Sequence, residues 1–162
     1  MTLTARYDIA APGWSHKLRA LGYDRAYRKF VRPWVLRQGA VLDVGTGTGS
    51  FARAWVEAGG STDLTLLDLS PQMLRQAGQE MAAAGLACRL VLSDLDHLAP
   101  DRCFDAILAA HAMEHCLDPL AALRQLSDWL CPGGRLLLVV SRPHWCNVLI
   151  WLRFRHRWFA EA

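Results

Sequence analysis

An acid, three alternating glycines and a helix start follow one another in Val41-Leu42-Asp43-Val44-Gly45-Thr46-Gly47-Thr48-Gly49-Ser50. Glycine lets a turn bend tightly and lets a ligand reach the backbone with no Cβ in the way. A helix beginning at Ser50 adds free N–H groups and the positive end of a dipole. Such a turn suits a nucleoside-containing ligand. A dinucleotide fingerprint reads G-x-G-x-x-G and cradles a pyrophosphate. Here the spacing is G-x-G-x-G, with Ser50 where the third fingerprint glycine would stand. Asp43, two residues before the first glycine, suits a ligand bearing an ammonium or hydroxyls better than a diphosphate.

Two further acids follow at useful distances. Leu64-Thr65-Leu66-Leu67-Asp68 is an apolar run ending in an acid 25 residues after Asp43. An α/β architecture of this kind puts an acid there against ribose hydroxyls. Ser70-Pro71 then reads as the cap and first position of a helix, with Met73 on its first turn. A third apolar run, 88–92, leads into Ser93-Asp94-Leu95, and a fourth ends at Ala110-His111. An imidazole with an ordinary pKa of about 6.5 is a candidate general base there. His115 stands one helical turn further on and reads as a packing residue. His111 and His115 with Cys116 lack a ligand spacing that would support a metal site. His144-Trp145-Cys146 has no partner at metal spacing either.

Placing these residues requires strands at 41–44, 64–68, 88–92, 104–109 and 135–141, read as near-continuous apolar runs of a parallel sheet covered on both faces. Helices are expected at 50–58, 71–84 and 119–130, with Gly59-Gly60 and Gly85 as stops and Asp118-Pro119 as a start. Alternating strands and helices predict a doubly wound α/β layer with right-handed crossovers. Residues 1–40 form a helical cap, with Trp14, Leu18, Leu21, Tyr27, Phe30, Val31 and Trp34 at approximate helical spacing, ending near Pro33. Tyr7, Trp14, Tyr23 and Tyr27 make either an aromatic lid over a cationic ligand or, for Trp14 and Tyr27 above all, a core-facing stripe.

The pattern Asp43-x-Gly45-x-Gly47-x-Gly49 resembles motif I of the class I S-adenosylmethionine-dependent methyltransferases. Phe104-Asp105-Ala106-Ile107-Leu108-Ala109-Ala110-His111 is similar to their motif IV. Pro132-Gly133-Gly134-Arg135 through Val140 is similar to their last turn and fifth strand. The matches run in order over about residues 41–141. Glu114-His115 and Asp118-Pro119-Leu120 look most like the type 11-like subgroup that includes quinone-ring and small-molecule methyltransferases. The resemblance implies a Rossmann-like, mostly parallel sheet of about five strands in a single domain. It implies S-adenosylmethionine as cofactor and S-adenosylhomocysteine as product. Asp43, Gly45, Thr46, Gly47 and Gly49 would hold the methionine end, and Asp68 and Leu69 the ribose. Met73, Asp94 and Leu95 would take the adenine, with Ala110 and His111 beside the transferred methyl. The acceptor would be small or lipophilic. The competing readings are a non-catalytic cofactor-binding module acting through a partner, and a nicotinamide-dependent reductase, which the glycine spacing and Asp43 disfavour.

Bulk properties frame these expectations. The chain has 162 residues, 52% of them apolar, with no run long enough to cross a bilayer. Met1-Thr2-Leu3-Thr4 offers neither a basic nor an apolar stretch for an export signal. The five cysteines, at 88, 103, 116, 131 and 146, form no C-x-x-C pair and are expected as reduced, mostly buried thiols of a cytoplasmic protein. Charge divides sharply. Residues 1–40 carry eight Lys/Arg against two acids, residues 41–141 six against twelve, and residues 142–162 four against one. Basic flanks around an acidic centre suit an acidic acceptor or an anionic surface, or simply solvate the domain. The tail 142–162 reads as a basic-aromatic helix with Val148, Trp151, Leu152, Arg155 and Phe159 at helical spacing. It either lies at an anionic membrane surface on the cytoplasmic side or caps the sheet. Nucleic acid is a poor fit to a net charge of only +3. The family's usual C-terminal strand hairpin finds no counterpart in this tail, which leaves the fifth strand as an apolar edge and a candidate for homodimer pairing.

Overall fold

The computed structural model describes residues 1–140. The tail helix expected over 142–162 lies outside the described residues. Five parallel strands form one sheet: β1 (Ala40–Val44), β2 (Asp63–Asp68), β3 (Cys88–Leu92), β4 (Phe104–Ala110) and β5 (Leu130–Val139), in the order β3-β2-β1-β4-β5. The helices are α1 (Leu3–Ala20), α2 (Tyr23–Val31), α3 (Ser50–Glu57), α4 (Pro71–Ala83) and α5 (Pro119–Asp128), with a short 3-10 turn at Met113–His115. The Rossmann-like doubly wound α/β fold expected from the sequence is the one observed.

The strand order reverses beside β1, and this central strand is buried along its whole length. Its alternate side chains serve two cores. Val41 packs with Leu64, Leu66, Leu108, Phe51, Trp55 and Met81 on the α3 and α4 face. Leu42 and Val44 pack with Leu67, Ile107, Ala109, Met113 and Leu126 on the α5 face. A parallel strand buried on both sides needs an apolar residue at nearly every position, which is what residues 40–44 supply except at Asp43.

Four expectations need correction. The N-terminal cap is two helices: α1 ends after Ala20, and Gly22 at φ 77° starts α2 on a new course. The aromatic stripe therefore splits. Tyr27 and Val31 enter the core, Leu21 and Trp34 are exposed, and Trp14 and Leu18 face the cavity described below. Outer strands are only partly covered, so Leu90 and Leu92 of β3 are exposed despite their apolar run. β5 starts at Leu130, five residues before the expected 135, and the Pro132-Gly133-Gly134 turn is absorbed as an irregularity opposite Phe104–Ala106. Finally, Cys103 and Cys131, expected as thiols, form a disulfide. They precede Phe104 and follow Leu130, which are paired across β4 and β5, so their Cα atoms lie 5.0 Å apart. A separation of 28 residues in sequence hides this neighbourhood. Cys88 and Cys116 are free thiols.

β5 is the last strand of the described sheet, as expected. Phe30 and Trp34 border a groove along it with Arg135 and Leu136–Leu138, and the Arg135 guanidinium donates to the Trp34 carbonyl at 2.8 Å.

A cofactor-shaped cavity at the carboxyl edge

The motif residues converge where β1, β2, β3 and β4 end. The turn after β1 places Gly45, Gly47 and Gly49 at φ 62°, 55° and 80°. Thr46 N–H donates to the Leu67 carbonyl at 2.9 Å, pinning the turn to the end of β2. At Gly47 the positive φ is joined by proximity to Trp14, whose Nε1 would lie 3.5 Å from an added Cβ. Gly49 does a different job. It does not line the cavity. A Cβ there would come within 2.9 Å of Met81 Cε and 3.5 Å of Ala77 Cβ, so its role is to let the start of α3 pack against α4.

Asp43 is fully buried. One carboxylate oxygen accepts from the Thr46 hydroxyl at 2.7 Å and from Ala52 N–H at 3.3 Å. Burial raises its pKa to about 7 against the lowering pull of those two bonds, and the nearby Asp68 charge raises it further. Asp43 thus ties the turn to α3 from beneath while bordering the cavity. Asp68 is held by the backbone at both oxygens: Gly47 N–H donates to one and Ser70 N–H to the other, each at 2.8 Å. Its pKa is also raised, by burial first, with these bonds acting in the opposite direction. Leu69 lines the cavity next to it. Ser70 caps α4 by accepting from Met73 N–H at 3.0 Å, and the Met73 side chain lies fully buried in the floor. Ser93 N–H donates to the Asp68 carbonyl at 3.2 Å, which brings Asp94 and Leu95 to the same rim. The Asp94 carboxylate accepts from His97 at its ring and its backbone N–H, and this pairing keeps its pKa low.

Ala110 and His111 close the far side of the cavity. His111 has φ 58°, uncommon for a residue with a Cβ, and its N–H donates to the Val139 carbonyl at 2.7 Å. Its Nδ1 lies 3.1 Å from Glu114 Oε1, and its ring stands edge-on to Tyr23. Strained backbone of this kind costs roughly 1–3 kcal/mol and concentrates where function needs it.

The cavity holds about 460 Å³. Of the cofactor and methyl-site residues expected from the sequence, all but Gly49 line it; of the aromatic candidates, Tyr7, Trp14 and Tyr27 line it and Tyr23 does not. The opposite wall was largely hidden from sequence reasoning. It is formed by α1, through Leu3, Thr4, Tyr7, Trp14 and Leu18, and by the chain from His115 to Ala122. Asp8 anchors α1 to the start of α4, accepting from the Ser70 hydroxyl at 2.6 Å and Gln72 N–H at 3.2 Å. The Tyr7 hydroxyl lies 2.7 Å from His115 Nε2. These partners are 62 to 108 residues apart, and no local pattern announces them. Only the aromatic residues of the N-terminal segment, as candidates to cover a cationic ligand, pointed to this wall.

The volume, the acid at the end of β2 and the open backbone of the glycine turn suit an adenosyl sulfonium cofactor. Among the described helices none is long and apolar enough to cross a membrane.

Residues 41–134 match a family model described as a methyltransferase domain. Among curated relatives, a demethylmenaquinone methyltransferase of Deinococcus radiodurans is 33% identical over 88% of this chain and 58% of its own length. The ubiquinone/menaquinone biosynthesis C-methyltransferase UbiE of Bordetella avium is 32% identical over 93% of this chain and 63% of its own. The chain thus spans less than two thirds of either relative. Of solved structures, DhpI in complex with SAH superposes with a TM-score of 0.69 at 25% identity, covering 85% of this chain and 68% of the other. Sequence motifs, sheet order and the matched length agree, and the chain belongs to the methyltransferase domain family, within the class I S-adenosylmethionine-dependent methyltransferases.

Proposed function

We propose that this chain binds S-adenosylmethionine and transfers its methyl group to a small lipophilic acceptor, with a hydroquinone ring as the best-supported class. The observation that carries the reading is the shared cavity, where Asp68, Met73, Asp94 and the glycine turn meet Ala110, His111 and an aromatic wall. When bound, the cofactor supplies an activated methyl on a sulfonium sulfur. Asp68, pre-set by Gly47 and Ser70 N–H groups, accepts the ribose hydroxyls. Met73, Leu95 and Asp94 hold the adenine. Gly45, Thr46 and Gly47 give the methionine end its backbone contacts, with Asp43 beneath. Alignment of donor and acceptor is the main catalytic device, worth up to about 7–11 kcal/mol for well-oriented groups.

Glu114 orients the His111 ring, and His111 acts as the base for an acceptor that must lose a proton. The quinone assignment draws support from the names of the two relatives and from the apolar wall of Leu3, Trp14 and Leu18. Contact of the basic-aromatic tail with anionic lipid, which would bring the site to a lipophilic acceptor, rests on sequence alone. Pairing of two chains along β5 is supported by the exposed groove beside that strand.

The test has two stages. Calorimetry is expected to show binding of S-adenosylmethionine and S-adenosylhomocysteine and none of a nicotinamide dinucleotide. Mass spectrometry with reduced demethylmenaquinone as acceptor is expected to show one added methyl per ring. Binding without transfer to any hydroquinone would support the alternative of a cofactor-binding module.

A further inference from the structure

The Tyr7–His115 contact joins the first helix to the 3-10 turn beside the cavity. Tyr7 comes from α1, whose only buried residue is Ala11, and His115 is exposed. Both residues line the cavity. The rings meet edge to face, with centroids 5.6 Å apart and planes at 81°, and the hydroxyl and Nε2 are 2.7 Å apart. Trp14 also stands edge-on to the Tyr7 ring.

We infer that Tyr7 and His115 form a proton relay that ionises a hydroxylated aromatic acceptor, in addition to any action of His111. The inference rests on the proposed acceptor class. The direction of the relay follows from the charges around it. Asp68, Glu114 and Arg6 act on Tyr7 by charge, and His115 by direct contact. Burial first, then Asp68 and Glu114, push the Tyr7 pKa up, with Arg6 opposing. Tyr7 therefore rests as a phenol; with His115 as the Nδ1–H tautomer, the relay has the Tyr7 O–H donating to Nε2 and the Tyr7 oxygen lone pairs open to an acceptor hydroxyl.

In the transfer step the acceptor O–H bond breaks and its proton goes to the Tyr7 oxygen. The Tyr7 proton moves to His115 Nε2 in the same event. The products are an acceptor phenolate and an imidazolium, so protons and charge balance. His115 is exposed, so the proton returns to water. A phenolate oxygen feeds electron density into the ring, and methyl attack then occurs at carbon or oxygen, whichever faces the donor. Because Tyr7 sits on α1, the relay is complete only when that helix is docked through Asp8.

A chromogenic phenol, 4-nitrophenol, tests this without methyl transfer. With the full chain saturated by S-adenosylhomocysteine, bound nitrophenol is expected to ionise at a pH at least one unit below that of the free probe. Tyr7→Phe keeps the ring and removes the hydroxyl, and is expected to abolish the shift. His115→Gln keeps an acceptor for the Tyr7 hydroxyl but cannot take up a proton, and is expected to abolish it as well. S-adenosylhomocysteine affinity, measured in parallel by calorimetry, reports on the cofactor reading independently. Failure of the wild type to bind S-adenosylhomocysteine strikes that reading, and the probe shift measured without cofactor then still decides the relay. A shift retained in His115→Gln makes the pair a mere clasp of α1 and overturns the relay, as does absence of a shift or of probe binding in the wild type.

Discussion

The two walls of the cavity are built on different principles. The cofactor wall comes from strand ends and the turns after them, all within residues 43–96. Each of its acids accepts from backbone N–H groups, Asp68 from Gly47 and Ser70, Asp43 from Ala52 and Asp94 from His97, with the Thr46 hydroxyl and the His97 ring beside Asp43 and Asp94. The facing wall comes from α1 and the region around His115, and side chains hold it: Asp8 to Ser70, Tyr7 to His115, Trp14 beside Gly47. α1 contributes one buried residue, whereas α3 contributes five. A wall pinned through the backbone of a buried sheet is rigid. A wall pinned by a few side-chain contacts can open, because so little apolar area is lost when it does.

The sharpest way to break the comparison is at Asp68. Asp68→Ala removes the proposed ribose acceptor and leaves two backbone donors without their carboxylate. Charged hydrogen bonds are worth roughly 1.5–3 kcal/mol, so calorimetry should show S-adenosylmethionine affinity down by more than tenfold. Unchanged affinity would dismiss Asp68 from the ribose site. Gly47→Ala comes next. At φ 55° an added Cβ costs roughly 1–2 kcal/mol, and the strain falls on the turn that meets the ligand. A loss of about fivefold or more in affinity, with circular dichroism unaltered, is the expected result.

The facing wall should respond differently. Asp8→Ala removes two bonds to α4 and should speed amide exchange through residues 3–20. Cofactor affinity should fall only severalfold, as the strand-end contacts remain. Protection of α1 equal to wild type would mean that the helix is held by something other than Asp8.

The smallest effect on binding is expected from Asp43→Asn, where the consequence is in stability. A folded pKa of about 7 against 3.8 means the native state keeps this proton after the unfolded chain has lost it. The contribution favours the fold below pH 3.8 and is lost as pH rises towards about 7. Guanidinium titrations should show wild-type stability declining across that window and a flatter profile in Asp43→Asn. An identical slope in both would mean that Asp43 is ionised throughout.

The contrast between the walls also explains what was legible in the chain. Asp43, the glycine turn, Asp68 and Asp94 sit at fixed offsets from apolar runs, so strand ends alone place them together. Gly49 belonged to the same motif, yet its neighbours Met81 and Ala77 come from a helix packed across the sheet face. Trp14 had the spacing of a core residue, but the break at Gly22 turned its helix toward the cavity.

Alternation of buried strands and helices, a local and repetitive pattern, by itself determined the doubly wound parallel sheet and the acids at its carboxyl edge. Tertiary structure alone decided the Cys103–Cys131 bond, the two-helix cap, the anchoring of Asp8 on Ser70 and the meeting of Tyr7 with His115. Each of those depends on where two distant segments come to rest, and a contact 28 to 108 residues long in sequence leaves no periodic trace.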